Sequence, residues 1–181
     1  IKTVIIDNGV SNIGSEAFSL LDNLTSVTIP DSVTYIGRMS FEGCENLTNI
    51  RIPNGVKSIG QEAFLNCTNL KNVYLGENVE KIGNAAFANC PNLEMISIPA
   101  SVKEIALNAF QNSPLLKTFN INENNENFYL EDNLLTFKNE EEKITYTIDE
   151  TEYTDNFIVF SEIVIGPVIR PGKDDSIKVP D

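Results

Sequence analysis

The chain has 181 residues, 41% hydrophobic and 22% charged, with 13 basic and 26 acidic side chains and a net charge of −13. This is globular rather than disordered composition, no apolar run is long enough to cross a bilayer, and the acidic balance argues against nucleic acid as a partner. There is no His and no Trp, so neither a Ser-His-Asp nor a Cys-His centre can be assembled from this chain alone.

From its first residue the sequence repeats with a period of 23. Leu24, Leu47, Leu70, Leu93 and Leu116 head successive units, and Ile1 fits the same register. Val27, Ile50, Val73 and Ile96 follow three positions later, and Phe18, Phe41, Phe64, Phe87 and Phe110 never vary. A period of this length falls in the range of leucine-rich repeats, in which each unit is one turn of a solenoid. Because the register already runs at Ile1, further sequence upstream is expected to cover that first turn.

Each unit opens with "LxxVxI", where apolar and polar residues alternate as in a short strand with one buried face. Pro30, Pro53 and Pro99 end the strand, since Pro cannot donate to a ladder. A second extended segment, "xVxxIG", turns its Val and Ile inward and ends at Gly14, Gly37, Gly60 or Gly83, where a positive φ or a close backbone approach is expected. The third step, "AFxxC", spaces its residues at i, i+1 and i+4, which predicts one helical turn facing inward. No unit can bury its apolar residues alone. Stacking at about 4.8 Å per turn joins them into continuous columns, with the Phe rings filling the space opposite the sheet.

The array decays at its end. Ala106 replaces the Gly, Ser113 the Cys and Leu115 the Asn of earlier units. Leu116, Phe119 and Ile121 begin one more strand before the pattern gives way to "NENNEN". Residues 1–115 therefore read as five repeats and 116–148 as a degenerate terminal repeat and hairpin cap. Short strands around Phe128–Leu130, Leu134–Phe137 and Lys143–Ile148 are expected to cover the open core and sheet edge. The acidic run at 139–142 reads as a solvated turn. Residues 149–181 read as a strand-rich extension or linker, "FIVFSEIVIGPVI" followed by "RPGKDDSIKVPD".

The units "LTSVTIPDSVTYIGRMSFEGCEN" and "LTNIRIPNGVKSIGQEAFLNCTN" closely resemble the BspA-like leucine-rich repeat family, over residues 1–115. The following "NENFYLEDNLLTFKNEEEKITYTI" resembles that family's irregular hairpin insert, with Asn133 where Gly is usual. The resemblance implies a right-handed leucine-rich-repeat solenoid, β-rich, with a parallel sheet on its concave face. A short second strand and a short helical turn in each repeat, and an irregular β-hairpin cap at the C-terminal end, are implied with it. So is a secreted or cell-surface microbial setting, with a role in adhesion or protein recognition rather than catalysis.

Cys44, Cys67 and Cys90 share one repeat position, so their spacing is the period and not the close pairing of a zinc site. Stacked turns bring Cα atoms near disulfide range, yet side chains parallel in a column are badly aimed for bridging. With Leu21 and Ser113 at the same position, the column reads as a slot for buried free thiols. Asn23, Asn46, Asn69 and Asn92 close their units, and a buried amide column satisfying main-chain groups at the bend is expected. The glycosylation-type sequons at Asn23, Asn46 and Asn66 are by-products of the repeat. No metal and no cofactor are expected.

Solenoids recognise partners over an extended surface, so the outward positions of the first strand are the candidates. One column runs Thr3, Ser26, Asn49, Asn72, Met95 and the other Ile5, Thr28, Arg51, Tyr74, Ser97. Asn49, Arg51, Asn72, Tyr74 and Met95 make a contact patch, with Arg51 and Tyr74 of the types enriched at interface hot spots. The competing reading is an ordinary solvated sheet face, and Tyr35 on the second segment is expected to be simply exposed. The leading function is a non-enzymatic interaction or adhesion module whose partner is a host or cell-surface protein, with a glycan as the alternative. Oligomeric state is left open. Two further readings stand: a structural spacer carrying another domain, and a β-helix-type polysaccharide-active enzyme. The enzyme would need clustered carboxylates or a metal in a groove. The outward strand columns contain no Asp or Glu, and Glu16, Glu42 and Glu62 read as a solvated edge.

Overall fold

The computed structural model describes residues 1–106, 108–131, 134–137, 144–146, 158–160 and 163–165; the run at 139–142 and most of 149–181 lie outside them. Each repeat makes one turn of a solenoid from three segments. The first segments are the strands Thr3–Ile5, Ser26–Thr28, Asn49–Arg51, Asn72–Tyr74, Met95–Ile98 and Thr118–Ile121. They pair in parallel with the repeat as their register, so Val73 lies beside Ile50, Ile96 beside Val73 and Phe119 beside Ile96. The ladder is interrupted once. Ser26–Thr28 pairs only with Thr3–Ile5, and Asn49–Arg51 begins a separate four-stranded sheet. The second segments, Asn12–Ile13, Tyr35–Ile36, Ser58–Ile59, Lys81–Ile82 and Glu104–Ile105, form one unbroken five-stranded sheet. Tyr35 is exposed there.

The third segment is not a helix: none forms among the described residues. It is a run of turns whose N–H groups alternate between two acceptors. The Phe41 N–H donates to the Ala63 carbonyl of the next turn at 2.8 Å, and the Cys44 N–H donates to the Phe41 carbonyl of its own turn at 3.3 Å. Two residues per turn are left-handed. One position holds Glu16, Met39, Glu62, Ala85 and Asn108, and the other holds Leu20, Gly43, Asn66, Asn89 and Asn112. A positive φ at either position stops a right-handed helix. The i, i+1, i+4 spacing thus reports which side chains point inward, not a helical backbone. Gly and Asn adopt the left-handed region at least cost, and the asparagines also link to one another. Asn89 Nδ2 donates to Asn66 Oδ1 at 2.9 Å, and Asn112 Nδ2 donates to Asn89 Oδ1 at 2.8 Å.

Of the two reasons expected for the glycine column, close approach is the operative one at Gly37, Gly60 and Gly83, while Gly14 in the first turn has open space. Gly37 has no positive φ, but a methyl group there would lie 2.6 Å from the Ile13 carbonyl oxygen of the preceding turn. Such crowding is what stacking turns at strand spacing imposes.

The core consists of the expected columns. Phe41, Phe64 and Phe87 are fully buried, with neighbouring ring centroids 5.2 Å apart. Burying an aromatic ring of about 150–250 Å² contributes about 4–6 kcal/mol of transfer free energy at about 25 cal/mol per Å². Cys44, Cys67 and Cys90 are buried and free. Each is also a donor: Cys44 to the Phe18 carbonyl at 3.3 Å, Cys67 to that of Phe41 at 3.2 Å and Cys90 to that of Phe64 at 3.3 Å. The Ser113 hydroxyl does the same for the Phe87 carbonyl at 3.1 Å. The column therefore selects a small side chain that can donate a hydrogen bond, and Cys and Ser both can.

Three of the four closing asparagines also serve main-chain carbonyls, while Asn23 Nδ2 donates to Asp22 Oδ1 at 2.7 Å. Asn46, Asn69 and Asn92 donate to Asp22, Glu45 and Thr68 at 2.7, 2.9 and 2.8 Å. They do so at the surface rather than in the core, since Asn46 and Asn69 are exposed and Asn92 half-buried.

The end of the array departs from expectation in one respect. The pattern does not dissolve at "NENNEN", because Asn125 stands one period after Val102 and is buried. Its Nδ2 donates to the carbonyls of Pro99 at 2.7 Å and Val102 at 3.2 Å. Its Oδ1 accepts from the N–H groups of Asn127 at 2.8 Å and Phe128 at 2.7 Å. Phe128, one period after Ile105, is buried too. It begins an antiparallel sheet of Phe128–Glu131, Leu134–Phe137 and Ile144–Tyr146, and Phe128 and Leu135 join the solenoid core. A separate antiparallel pair joins Ile158–Phe160 to Ile163–Ile165.

Candidate functional site

The strand register sets the five expected residues side by side on one sheet face. Asn49 pairs with Asn72 and Arg51 with Tyr74, while Asn72 pairs with Met95 and Tyr74 with Ser97. Their availability differs. Asn72 Nδ2 donates to Asn49 Oδ1 at 2.7 Å and Asn49 Nδ2 to Thr48 Oγ1 at 3.0 Å, so these amides are largely engaged with neighbours. Met95 is half-buried, whereas Arg51 is exposed and Tyr74 is 41% exposed.

Arg51 and Tyr74 face a groove of about 840 Å³, which Asn49, Asn72 and Met95 do not line. The opposite wall comes from the loop after each first strand and brings in Asp31, Asn54 and Glu77. These residues were not singled out above, although their column lies three positions beyond that of Arg51 and Tyr74. The wall is held turn to turn by side chains. The Asn54 N–H donates to Asp31 Oδ1 at 3.1 Å and the Glu77 N–H to Asn54 Oδ1 at 2.9 Å. On the strand side, Ser97 Oγ accepts from the Leu75 N–H at 3.0 Å. The groove also spans the interruption in the first sheet, being lined by Thr28 on one side of it and Arg51 on the other.

The chemistry this arrangement offers is hydrogen bonding and ring contact. Arg51 offers five N–H donors in a fixed fork suited to carboxylates and planar groups. Among the described residues, Arg51 has no ion-pair partner, and no group of three or more His, Cys, Asp or Glu could hold a metal ion. No helix among them is long and apolar enough to cross a membrane.

Comparison with known proteins places the repeats. The family described as BspA type leucine-rich repeat region matches residues 1–117 in six copies. Among solved structures, the T. pallidum leucine-rich repeat protein TpLRR is 31% identical, with a TM-score of 0.62, over 65% of this chain and 57% of that one. The pneumococcal vaccine antigen PcpA is 27% identical, with a TM-score of 0.70, over 76% of this chain and 34% of that one. A leucine-rich repeat protein from Bacteroides ovatus is 32% identical, with a TM-score of 0.50, over 66% of this chain and 37% of that one. The chain thus spans well under two thirds of each of these proteins. No functionally curated protein matches it.

Proposed function

The chain belongs to the BspA-type leucine-rich repeat family, and from that premise we propose that it is a non-catalytic protein-interaction or adhesion module of a secreted or cell-surface microbial protein. Binding runs through the outward face of the first sheet, centred on Arg51 and Tyr74. The observation that carries this reading is the pairing of an exposed arginine, without an ion-pair partner among the described residues, with an exposed tyrosine, in register, at the edge of a polar groove. Both residue types supply large shares of binding energy where partners meet. The similarity to PcpA, described as a vaccine antigen, supports a setting in contact with a host.

The test compares the wild-type chain with the Arg51→Ala/Tyr74→Ala double variant on protein and glycan arrays. Protein ligands held by the wild type and weakened about tenfold or more in the variant, with melting unchanged, are the expected result. Equal binding by the two chains dismisses the patch. Release of reducing sugar from array glycans would instead favour the polysaccharide-active reading.

A further inference from the structure

Away from the groove, the solenoid pairs charges from one turn to the next. Arg38 meets Glu62 at 3.0 Å, Lys81 meets Glu104 at 2.9 Å and Lys103 meets Glu80 at 3.0 Å. Inside the groove the charges stay apart. Asp31, Arg51 and Glu77 are all exposed, and none has an ion-pair partner among the described residues. Asp31 and Glu77 occupy one column with Asn54 between them, which sets them roughly 10 Å apart at strand spacing. Arg51 belongs to the same turn as Asn54 and so lies level with the middle of that gap. Along the stacking direction the groove therefore reads acid, base, acid. A purely anionic ligand would meet Arg51 but be repelled by two carboxylates, and a purely cationic one would meet the reverse conflict.

We infer that this groove takes an extended polypeptide segment in which an acidic residue is flanked by basic ones, the acid seated on Arg51 and the bases at Asp31 and Glu77. The inference rests on the reading of this face as protein-binding and adds the chemistry of the partner. An extended chain rises about 3.3 Å per residue with alternate side chains on one face, so a base-x-acid-x-base core spans about 13 Å, which flexible lysine side chains can bring to the roughly 10 Å between the two acids. A glycan can supply carboxylates for Arg51, but ordinary sugars carry no cation for Asp31 and Glu77.

Three labelled peptides of equal length decide the matter by fluorescence anisotropy on the 181-residue chain: a Lys-Gly-Asp-Gly-Lys core, its charge reverse Asp-Gly-Lys-Gly-Asp, and a neutral Ser-Gly-Ser-Gly-Ser. At low salt the first is expected to bind at least about fivefold tighter than the other two, an advantage that about 0.5 M salt removes. Asp31→Asn/Glu77→Gln should erase the preference while leaving the fold intact, because Asn54 shows that an amide oxygen at this position still caps the next turn. Equal binding of the peptides, a preference that survives that double variant, or tighter binding of an oligogalacturonate than of any peptide each overturns the inference. If the peptides do not discriminate while Arg51→Ala/Tyr74→Ala still loses protein ligands, the charge pattern is wrong and the protein-binding face stands. If that variant binds protein normally, both fall.

Discussion

Asn125 donates its side-chain amide to the Pro99 carbonyl at 2.7 Å, from a position that the preceding five turns fill with valine. The exchange of Val for Asn is what lets the array end. Pro99 O already accepts from the Val102 N–H at 3.3 Å and Val102 O from Asn127 Nδ2 at 3.2 Å, and the buried amide adds a second donor to each. Its carbonyl oxygen meanwhile starts the cap by accepting from Asn127 and Phe128. Asn125→Val restores the repeat and breaks the closure. The substitution deletes four hydrogen bonds, each worth about 0.5–1.5 kcal/mol net, so a loss of about 2–4 kcal/mol in urea unfolding is expected, with faster amide exchange at Asn127 and Phe128. A variant within about 0.5 kcal/mol of wild type would show that the cap does not depend on this residue.

How much of this was legible in sequence depends on whether one residue speaks for itself. Phe64 could be assigned to the core because the residues one period away on both sides are also Phe, and stacking puts like over like. The backbone of the third segment could not be assigned that way, since an inward i, i+1, i+4 triplet suits a helix and a run of turns equally. The discriminating signal was present one column away, in Gly43, Asn66, Asn89 and Asn112, residues that tolerate positive φ. Leu20, at φ 58° in the same column, hides it in the first unit. The adjacency of Arg51 and Tyr74 followed from the period alone. The groove did not, because its second wall belongs to a different segment and no column residue marks the break between Thr28 and Arg51. Asn125 was missed because its neighbours Glu123, Asn124 and Glu126 are exposed, and a polar run masks one inward position.

Ser40 stands where four other units have Ala17, Ala63, Ala86 and Ala109. It is fully buried, and its hydroxyl has no hydrogen-bond partner among the described residues. A buried hydroxyl without a partner costs about 1–3 kcal/mol in protein mutational series. Ser40→Ala removes it and leaves no cavity larger than one oxygen atom. The variant is expected to be more stable by about 1 kcal/mol, read as a higher urea midpoint with an unchanged slope. A destabilised variant would mean that the hydroxyl has found a partner in solution.

The cysteine column makes stability fall with alkali. Burial pushes the thiols up from an ordinary value of 9.0, Cys44 to about 11 and Cys90 to about 12, and Cys67 moves in the same direction for the same cause. A thiol raised in the folded state stays protonated there while the unfolded chain ionises. The stability it supplies is therefore complete below about pH 9 and is lost as pH climbs toward 11 and 12, with a slope of up to about 1.4 kcal/mol per pH unit for each thiol. The comparison is with a Cys44→Ser/Cys67→Ser/Cys90→Ser variant, whose hydroxyls can keep the donor role that Ser113 fills. The wild-type advantage should shrink between pH 9 and 11. Thiol labelling gives an independent check: at pH 8 the native chain should resist a disulfide reagent and react at all three sites only in denaturant. Rapid labelling of the native protein at all three would refute the buried, protonated column even if the variant failed to fold.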